Sequence, residues 1–258
     1  MSRLPIKFQL TRYAMRQRLD YVLASRGLVQ SRSRARDLIA RGAVRVAGEL
    51  AQKAGQLVSP DAAIAIDSAA NAYVARSGAK LVAGLQGFSL SPLGCVALDV
   101  GASTGGFTQV LLEGGARKVY AVDVGHGQLA GELSLDARVV SLENHDVRKL
   151  TRSEIVDPVS AIVIDVSFIS LVQVLPSALS FAAKECWLVA LVKPQFEVGR
   201  KRIGKGGVVR EESAIVDVLD NTGDFLSQRG WRVLGSMPSP LPGKKGNEEY
   251  LLGAVRDA

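Results

Sequence analysis

The sequence predicts an α/β protein in which a doubly wound, mainly parallel seven-stranded sheet follows a small α+β domain. Apolar runs of strand length alternate with amphipathic helical segments from residue 96 onward. Near-continuous apolar strands separated by helices are typical of a parallel sheet that is covered on both faces. The positive charge is concentrated in the first 65 residues, which sets the N-terminal part of the chain apart.

The charge distribution indicates a basic module joined to a near-neutral body. The 258 residues carry a formal net charge of +7. Residues 1–65 hold 12 Lys and Arg against 4 Asp and Glu, whereas residues 66–258 hold 20 against 21. Hydrophobic residues make up 47% and charged residues 22%, which fits a globular protein and excludes a disordered chain. The local excess of positive charge points to a polyanionic partner, either nucleic acid or an anionic membrane.

The N-terminal domain, residues 16–67, is predicted to contain two short helices followed by a small sheet. Ser31 or Ser33 is placed to cap the second helix, and Gly42 is placed to end it. After Gly42 apolar residues alternate with polar ones, as in half-buried strands. Residues 1–15 are expected to form an extension outside this domain.

Five arginines lie within 14 residues of this domain, with almost no compensating acid. They are Arg32, Arg34, Arg36, Arg41 and Arg45. Most charge runs form a solvated helix face, but this density favours a surface that contacts phosphate groups. The same helix lacks the broad Trp, Phe and Leu face that an interfacial membrane helix needs, which argues against membrane binding.

The body of the chain, predicted to span residues 76–258, follows a linker at 68–75. Its strand candidates occupy residues 96–100, 119–124, 138–142, 161–166, 186–192, 231–237 and 249–255. Its helical candidates occupy residues 80–85, 106–113, 129–135, 171–183 and 211–228. This alternation of strand and helix predicts the doubly wound sheet.

A glycine-rich turn, in the segment DVGASTGGFTQVLL, follows the first strand of the body. Glycines there let the backbone approach a ligand closely at the carboxyl edge of the sheet, where doubly wound folds bind nucleotides. The spacing is not that of a dinucleotide-binding G-x-G-x-x-G turn, because position 103 is serine. The pattern instead resembles the cofactor loop of S-adenosylmethionine methyltransferases. The cofactor-binding candidates in this loop are Asp99, Gly101, Ser103, Gly105, Gly106 and Phe107.

Two acids that follow the next strands are further candidates for the cofactor site. Asp123 ends the second strand, 22 residues after Gly101, where a carboxylate can accept hydrogen bonds from both ribose hydroxyls. Asp146 follows the third strand and is a candidate adenine contact, although a helix cap explains it equally well. His126 and His145 lack the spacing of metal ligands, and we expect no metal site.

Several motifs occur in a fixed order along the chain. They are VARSGAKLVAGL, DVGASTGGFT, VIDVSFISL, LVKPQFEVGR with GKGGVV, and SPLPGKKGNEEYLL. Together they resemble the TlyA family of ribosomal-RNA 2′-O-methyltransferases, also described as hemolysins. The segment beginning RLDYVLASRGL resembles the small RNA-binding domain first seen in ribosomal small-subunit protein four. The resemblance implies a Rossmann-like methyltransferase domain similar to FtsJ, S-adenosylmethionine as cofactor, and ribosomal RNA, with a cytidine target in an assembled subunit, as partner.

The resemblance also implies the catalytic residues. The Lys-Asp-Lys-Glu tetrad of such enzymes maps onto Lys80, Asp165, Lys193 and Glu249, and of the neighbours Glu248 and Glu249 the motif points to the second. A ribose hydroxyl is a poor nucleophile, so an enzyme must orient it and help to remove its proton. We assign that role to Lys193, as general base or hydroxyl-steering group, with Lys80 and Asp165 supporting it.

Further RNA contacts are expected in both parts of the chain. Arg18 joins the N-terminal arginines as a candidate. Lys201, Arg202 and Lys205 form a basic, glycine-rich loop at residues 199–207, and we expect this loop to clamp RNA phosphates. An ordinary surface loop is the alternative.

Two alternative functions remain to be weighed against the enzyme. The hemolysin label suggests a membrane-lytic protein, but the sequence shows no signal peptide, spanning helix or amphipathic barrel strands. An RNA-binding protein without catalysis is disfavoured, because all four tetrad residues are present. Cys95 and Cys186 lie in apolar runs, which favours buried thiols in a reducing cytoplasm. We therefore expect a cytoplasmic enzyme with no membrane partner.

Overall fold

The chain divides into two compact units, Met1–Ala72 and Tyr73–Ala258. The division falls within residues 68–75, the segment that the sequence predicts as a linker. In the part of the chain that is described, no helix has the length and apolar character needed to cross a bilayer. The structure is a computed structural model that describes residues 16–29, 31–40, 42–67, 73–199, 202–243 and 246–257.

The first unit has two short helices, α1 (Leu19–Ser25) and α2 (Arg32–Ala40), among its described residues. Its strands are β1 (Gln17–Arg18), β2 (Val44–Val46), β3 (Glu49–Leu50), β4 (Leu57–Val58) and β5 (Ile64–Ile66). Strand β1 pairs with β4, while β2 lies between β3 and β5, and all of these pairs are antiparallel. The predicted small α+β domain is confirmed.

Helix α2 begins and ends where the sequence predicts. Ser31 Oγ accepts a hydrogen bond from the Arg34 backbone N–H at 3.1 Å, so Ser31 caps the helix. Gly42 has a φ of +72°, and its N–H donates to the Ile39 carbonyl at 3.0 Å. Glycine adopts this left-handed conformation without steric cost, which lets the chain turn from the helix into strand β2.

A buried carboxylate in α1 holds two of the predicted RNA-binding arginines. Asp20 is fully buried, and its oxygens accept hydrogen bonds from Arg18 Nε at 3.0 Å and from Arg32 Nη2 at 2.9 Å. The hydrogen bond from Arg18, reinforced by Arg32, lowers the pKa of Asp20 to about 2. Arg18 and Arg32 therefore tie α1 to β1 and to α2, a structural role that the sequence interpretation missed.

The second unit contains a seven-stranded sheet. Its strands are β6 (Val96–Val100), β7 (Lys118–Asp123), β8 (Val139–Glu143), β9 (Val159–Ile164), β10 (Ala182–Val192), β11 (Arg232–Pro238) and β12 (Tyr250–Arg256). The helices are α3 (Ser77–Gly87), α4 (Gly106–Glu113), α5 (Gly131–Ser134), α6 (Leu171–Ser180), α7 (Pro194–Glu197) and α8 (Glu212–Ser227), with a 3₁₀ turn at Val147–Lys149.

The strand order is β8-β7-β6-β9-β10-β12-β11. The five strands from β8 to β10 are parallel, whereas β12 is antiparallel to both of its neighbours. The predicted doubly wound, mainly parallel sheet is therefore confirmed. The chain moves outward from β6 to β8 and then returns to β9, so the strand order reverses between β6 and β9. Ligands of open α/β sheets bind beyond the carboxyl ends of the strands at such a reversal.

Both faces of the sheet are covered, as the apolar strands predict. On β6, Leu98 contributes to the hydrophobic cluster on one face, together with Ile162 of β9. Ala97 contributes to the cluster on the other face, together with Phe107 and Leu111 of α4. Alternate residues of a strand point to opposite faces, so a strand buried on both sides is nearly continuously apolar.

The start of β10 differs from the prediction. The sequence pattern extends the preceding helix to residue 183, but α6 ends at Ser180 and β10 begins at Ala182. Lys184 and Glu185 are exposed, and the pairing with β9 is irregular between Ala182 and Trp187. The two charged residues interrupt the apolar run that would have identified this segment as a strand, so the start of β10 was not predicted.

Candidate active site

A cavity of about 590 Å³ opens at the carboxyl ends of β6, β9 and β10 in the second unit. All four predicted tetrad residues line it: Lys80 lies in the first turn of α3, and Asp165, Lys193 and Glu249 lie directly next to strand ends. Its polar and charged lining comprises Arg76, Ser77, Lys80, Ser103, Thr104, Asp165, Ser167, Lys193, Gln195, Asn247 and Glu249. The structure thus brings together Lys80 and Glu249, which are 169 positions apart in the sequence.

Lys80 and Glu249 form a buried ion pair. Lys80 lies on α3 and Glu249 immediately precedes β12, and their side chains are each 5% exposed. Lys80 Nζ donates a hydrogen bond to Glu249 Oε2. A buried charge needs a partner of opposite sign, so each residue holds the other in place. By contrast Glu248 is exposed and accepts a hydrogen bond from the Tyr250 hydroxyl at 2.8 Å.

Lys193 and Asp165 form the second ion pair, between the ends of β10 and β9. Lys193 Nζ lies 2.6 Å from Asp165 Oδ1 and donates a hydrogen bond to Ser167 Oγ at 2.9 Å. Asp165 Oδ1 accepts no hydrogen bond from the described residues, so Ser167 is the one described hydrogen-bond acceptor of Nζ. An ammonium group has three donors, which leaves an N–H that can meet a substrate oxygen. Ser167 was not among the predicted site residues, although it lies within the motif VIDVSFISL.

An exposed aromatic side chain stands at the same cavity. Phe168 is 91% exposed and has a φ of +66°, a conformation that bulky residues rarely adopt. Its ring centroid lies 5.1 Å from that of Phe196, and both residues line the cavity. An exposed ring of this kind can stack on a nucleobase. The sequence interpretation missed it, because a phenylalanine next to an apolar strand resembles a core residue.

The glycine-rich turn forms the floor of the cavity next to this cluster. Gly101 has a φ of +85°, and a Cβ atom added there would overlap the backbone carbonyl of Asp165. Gly101 and Ser103 line the cavity, and so does Phe107. Glycine at 101 therefore lets the end of β6 approach the end of β9, which Asp165 follows directly. Gly105, with a φ of +95°, and Gly106 do not line the cavity but allow the turn into α4.

Gly101→Ala is expected to lower both the melting temperature and the affinity for S-adenosylmethionine, the latter by at least about tenfold. The reason is the overlap with the Asp165 carbonyl, which would force β6 and β9 apart. Gly94→Ala is the matched control, because Gly94 has a φ of +71° but nothing lies within 4 Å of its added Cβ. Calorimetric titration and thermal melts measure both effects. Equal losses of melting temperature and of S-adenosylmethionine affinity in the two variants would contradict the assigned role of Gly101.

Asp99 lies beneath the turn and is not among the residues that line the cavity. It is fully buried and accepts a hydrogen bond from Thr108 Oγ1 at 2.6 Å, which ties β6 to α4. Burial raises the pKa of Asp99 to about 7. The structure thus shows Asp99 supporting the turn, and direct contact with a cofactor remains a prediction.

The remaining cofactor candidates hold the neighbouring loops together. Asp123 accepts hydrogen bonds from the backbone N–H groups of Ser103 at 2.8 Å and Gly125 at 2.7 Å. Asp146 accepts one from the Arg148 backbone at 3.0 Å and forms an ion pair with the Arg148 guanidinium, so the alternative of a cap is realised. The hydrogen bond from the Arg148 side chain keeps the pKa of Asp146 below its usual range. Direct contacts of Asp123 and Asp146 with a cofactor remain predictions.

Glu143 organises the same region and was not predicted. Its carboxylate accepts hydrogen bonds from three consecutive backbone N–H groups, those of Gly127, Gln128 and Leu129, at 2.6 to 3.1 Å. These bonds, that from Gln128 foremost, hold the pKa of Glu143 below its usual range. The loop after Asp123 is therefore fixed to the end of β8.

In the basic loop at 199–207, Arg202 has a structural role, and contacts of the loop with RNA phosphates stay a prediction. Arg202 is held by two carboxylates, with Nη2 2.8 Å from Glu211 and Nη1 2.6 Å from Asp217. Lys205 is exposed, whereas Lys201, like Arg41 of the first unit, lies outside the described residues. Arg202 therefore anchors the loop to α8, which the local sequence did not indicate because Asp217 lies 15 residues away.

The fold and the site together define a class of protein. The sheet carries a reversed strand, β12, near one edge, a glycine-rich turn after β6, and a cavity with two lysine–carboxylate pairs. These are the features of a methyltransferase of the S-adenosylmethionine-dependent, Rossmann-like class.

Comparison with known proteins identifies the family. Residues 73–256 match the FtsJ-like methyltransferase model, and residues 17–64 match the S4 domain model. The chain is 44% identical over 240 residues to the 16S/23S rRNA (cytidine-2′-O)-methyltransferase TlyA of Mycobacterium tuberculosis. The aligned region covers 93% of this chain and 90% of that protein. The chain is 39% identical to Hemolysin A of Brachyspira hyodysenteriae, covering 91% and 98%.

A solved structure agrees with this similarity. A hemolysin from Streptococcus thermophilus superposes with a TM-score of 0.75 at 38% identity, covering 95% of this chain and 90% of that one. The chain therefore belongs to the FtsJ-like methyltransferase family and, within it, to the TlyA rRNA 2′-O-methyltransferases. The methyl donor of this family is S-adenosylmethionine.

Proposed function

We propose that this chain methylates the 2′-hydroxyl of a cytidine in ribosomal RNA, within an assembled subunit, and that the tetrad is its catalytic centre. The observation that carries the proposal is the convergence of both lysine–carboxylate pairs on one cavity beside the glycine-rich turn. The relative from Mycobacterium tuberculosis, which its name describes as a 16S/23S rRNA cytidine-2′-O-methyltransferase, supports the choice of substrate. A ribosomal substrate places the reaction in the cytoplasm.

Lys193 is the residue that meets the 2′-hydroxyl. Asp165 and Ser167 contact two sides of its Nζ, so the side of the nitrogen that is left for a substrate oxygen has a defined direction. As an ammonium group, Lys193 orients the hydroxyl oxygen with a donated hydrogen bond; as a neutral amine, it takes the hydroxyl proton on its lone pair as the methyl group is transferred. Lys80 and Glu249 contribute a second, buried pair of charges that fixes the other wall of the cavity.

The residues present fit S-adenosylmethionine. Gly101 and Ser103 of the turn line the cavity, the missing Cβ at Gly101 lets the turn approach the Asp165 backbone, and Ser103 is held by Asp123. We propose that the turn from Gly101 to Gly106 and Asp123 hold the cofactor. When bound, the cofactor supplies a methyl group on a positively charged sulfur, which makes that methyl electrophilic.

Two side chains of the cavity suit a cytosine base. The exposed Phe168 ring offers a surface for stacking. Gln195 Oε1 is buried and accepts no hydrogen bond from the described residues, although Gln195 lines the cavity. The exocyclic amine of cytosine is a donor that would satisfy this acceptor, because a buried acceptor without a partner costs free energy.

We propose that the basic face of the first unit binds RNA phosphates through Arg34, Arg36 and Arg45. Replacing Arg34 and Arg36 with alanine is expected to weaken RNA binding and to reduce its log–log salt slope by roughly one unit per lost phosphate contact. Arg32→Ala is a useful comparison, because Arg32 also holds the buried Asp20 and its loss should lower the melting temperature as well. An unchanged salt slope in the double variant would show that Arg34 and Arg36 make no contact with RNA phosphates.

The proposal is tested by transfer of radiolabelled methyl groups to separated ribosomal subunits. We expect label in the ribosomal RNA of at least one assembled subunit, and none in ribosomal protein. Incubation with S-adenosylmethionine but without the enzyme gives the background. Absence of label from the RNA of both subunits, with a chain shown to be folded, would contradict the proposed substrate.

A further inference from the structure

The wall of the cavity next to Glu249 is formed by a glycine-rich loop, residues 203–209. Ile203 and Gly207 of this loop line the cavity. The loop closes on itself through hydrogen bonds from the Gly204 N–H to the Val208 carbonyl at 2.9 Å and from the Gly207 N–H to the Gly204 carbonyl at 3.0 Å. Gly206 and Gly207 both have positive φ, so the loop depends on glycine and has little stiffness of its own.

One side chain connects this loop to the segment that carries Glu249. Asn247 is 4% exposed and lines the cavity. Its Nδ2 donates to the Gly207 carbonyl at 3.1 Å, and its Oδ1 accepts from the Val209 N–H at 3.2 Å. Both ends of the buried amide are thus matched to the loop backbone, an arrangement that fixes the orientation of the amide and the position of the loop.

The backbone of Asn247 also supports the catalytic acid. Its carbonyl accepts a hydrogen bond from the Gly243 N–H at 2.8 Å, which closes the turn before β12. Gly243 packs so closely against the Glu249 carboxylate that an added Cβ would overlap it. Asn247 therefore joins two parts of the cavity: the loop wall and the turn against which Glu249 packs.

The ends of the loop are anchored elsewhere. Arg202 holds its beginning to Glu211 and Asp217, and Val209 packs in a small apolar cluster with Ile215. Among the described residues, Asn247 is the side chain that hydrogen-bonds to Gly207, where the loop faces the cavity. Losing its amide would release the wall and leave both anchors in place.

We propose that Asn247 is a positioning residue for the target nucleotide, which holds the loop at 203–209 as a wall of the nucleotide cavity beside Glu249. This inference rests on the proposed function, because the cavity is taken to receive the target ribose. Asn247 acts through the loop and not on the reacting atoms. Its loss should therefore affect the RNA substrate much more than the cofactor.

The test compares Asn247→Ala and Asn247→Asp with Asn221→Ala in methyl transfer to ribosomal subunits. Asn221 lies exposed on α8, away from the tetrad cavity, and serves as the matched control. We expect Asn247→Ala to reduce kcat/KM for the subunit by at least about tenfold, with a raised KM, while the Kd for S-adenosylmethionine changes less than about twofold. Asn221→Ala should match the wild type.

Asn247→Asp separates positioning from general damage to the fold. A protonated aspartic acid donates to the Gly207 carbonyl and accepts from the Val209 N–H, as asparagine does, but a carboxylate cannot donate. Its activity relative to the wild type should therefore rise as the pH falls. A flat ratio across pH, or wild-type kinetics for Asn247→Ala, would overturn the inference. If the wild type itself methylated neither subunit, the proposed function would fail, and this inference with it.

Discussion

Replacing Lys193 with alanine is expected to reduce methyl transfer by roughly two to four orders of magnitude. The side chain holds the only Nζ that is placed between Asp165 and Ser167 at the cavity among the described residues. We propose that it orients the 2′-hydroxyl or accepts its proton, and both are demands of the transition state. Binding of S-adenosylmethionine and of ribosomal RNA should therefore survive, as calorimetry and filter binding can measure.

Lys193→Arg is the sharper variant of the same test. Arginine keeps the positive charge and its ion pair with Asp165, but it stays protonated and its planar donors do not reproduce the tetrahedral arrangement of an ammonium group. We expect it to be nearly as inactive as Lys193→Ala. Near-normal transfer by Lys193→Ala would remove Lys193 from the catalytic role.

Glu249→Ala and Glu248→Ala should differ strongly although the residues are adjacent. Removing Glu249 leaves the Lys80 ammonium buried without its partner, which is expected to cost about 3–5 kcal/mol of stability and most of the activity. Removing Glu248 loses one exposed hydrogen bond with Tyr250 and should change stability by less than about 1 kcal/mol. Denaturant unfolding and methyl transfer measure the two effects.

A double variant distinguishes the structural from the catalytic part of this ion pair. Lys80→Met with Glu249→Leu removes both charges and fills their space with apolar groups, so stability should recover toward that of the wild type. Activity should not recover, because the charged wall of the cavity is lost. Equal losses from Glu248→Ala and Glu249→Ala would show that the motif alignment is wrong at this position.

The sheet was predictable because its strands are buried on both faces. The apolar run of β6 and the helical spacing of α4 identify these elements within a residue of their ends, and the positions of Asp165 and Lys193 after strands identify one edge of the sheet. Prediction failed where charged residues interrupt a strand, as at Lys184 in β10. The spacing of apolar residues indicates whether a segment is a helix or a strand, but it does not show where the pairing of two strands is irregular.

The pairing of the charged groups was not predictable in the same way. Sequence spacing does not show that Lys80 pairs with Glu249 rather than with Asp165, since the two partners lie on elements that meet only in the folded sheet. The arginine-rich helix shows a role that composition does not reveal. The basic composition predicts that Arg32 contacts RNA, which stays a prediction, and the buried acid Asp20 gives it a structural role as well.

Asn247 and Ser167 show a third limit. Asparagine and serine are not diagnostic of a functional site. Asn247 makes two side-chain hydrogen bonds to the backbone of the loop at 203–209, and Ser167 accepts one from Lys193, all from groups that are distant in the chain. Both lie within sequence motifs that the resemblance to the family singles out, so the motifs carry the signal but do not say which member matters. Burial and hydrogen-bond partners decide that question.

The central claim is that the tetrad cavity methylates the ribose and not the base. The most direct measurement is alkaline hydrolysis of ribosomal RNA labelled by the enzyme with radioactive S-adenosylmethionine, followed by mass analysis of the labelled product. Alkaline cleavage of RNA needs a free 2′-hydroxyl, so a 2′-O-methylated nucleotide remains joined to its 3′ neighbour. We predict that the label is recovered in an alkali-stable dinucleotide containing 2′-O-methylcytidine, and that Lys193→Ala gives none. Label recovered in mononucleotides with a methylated base would contradict the account.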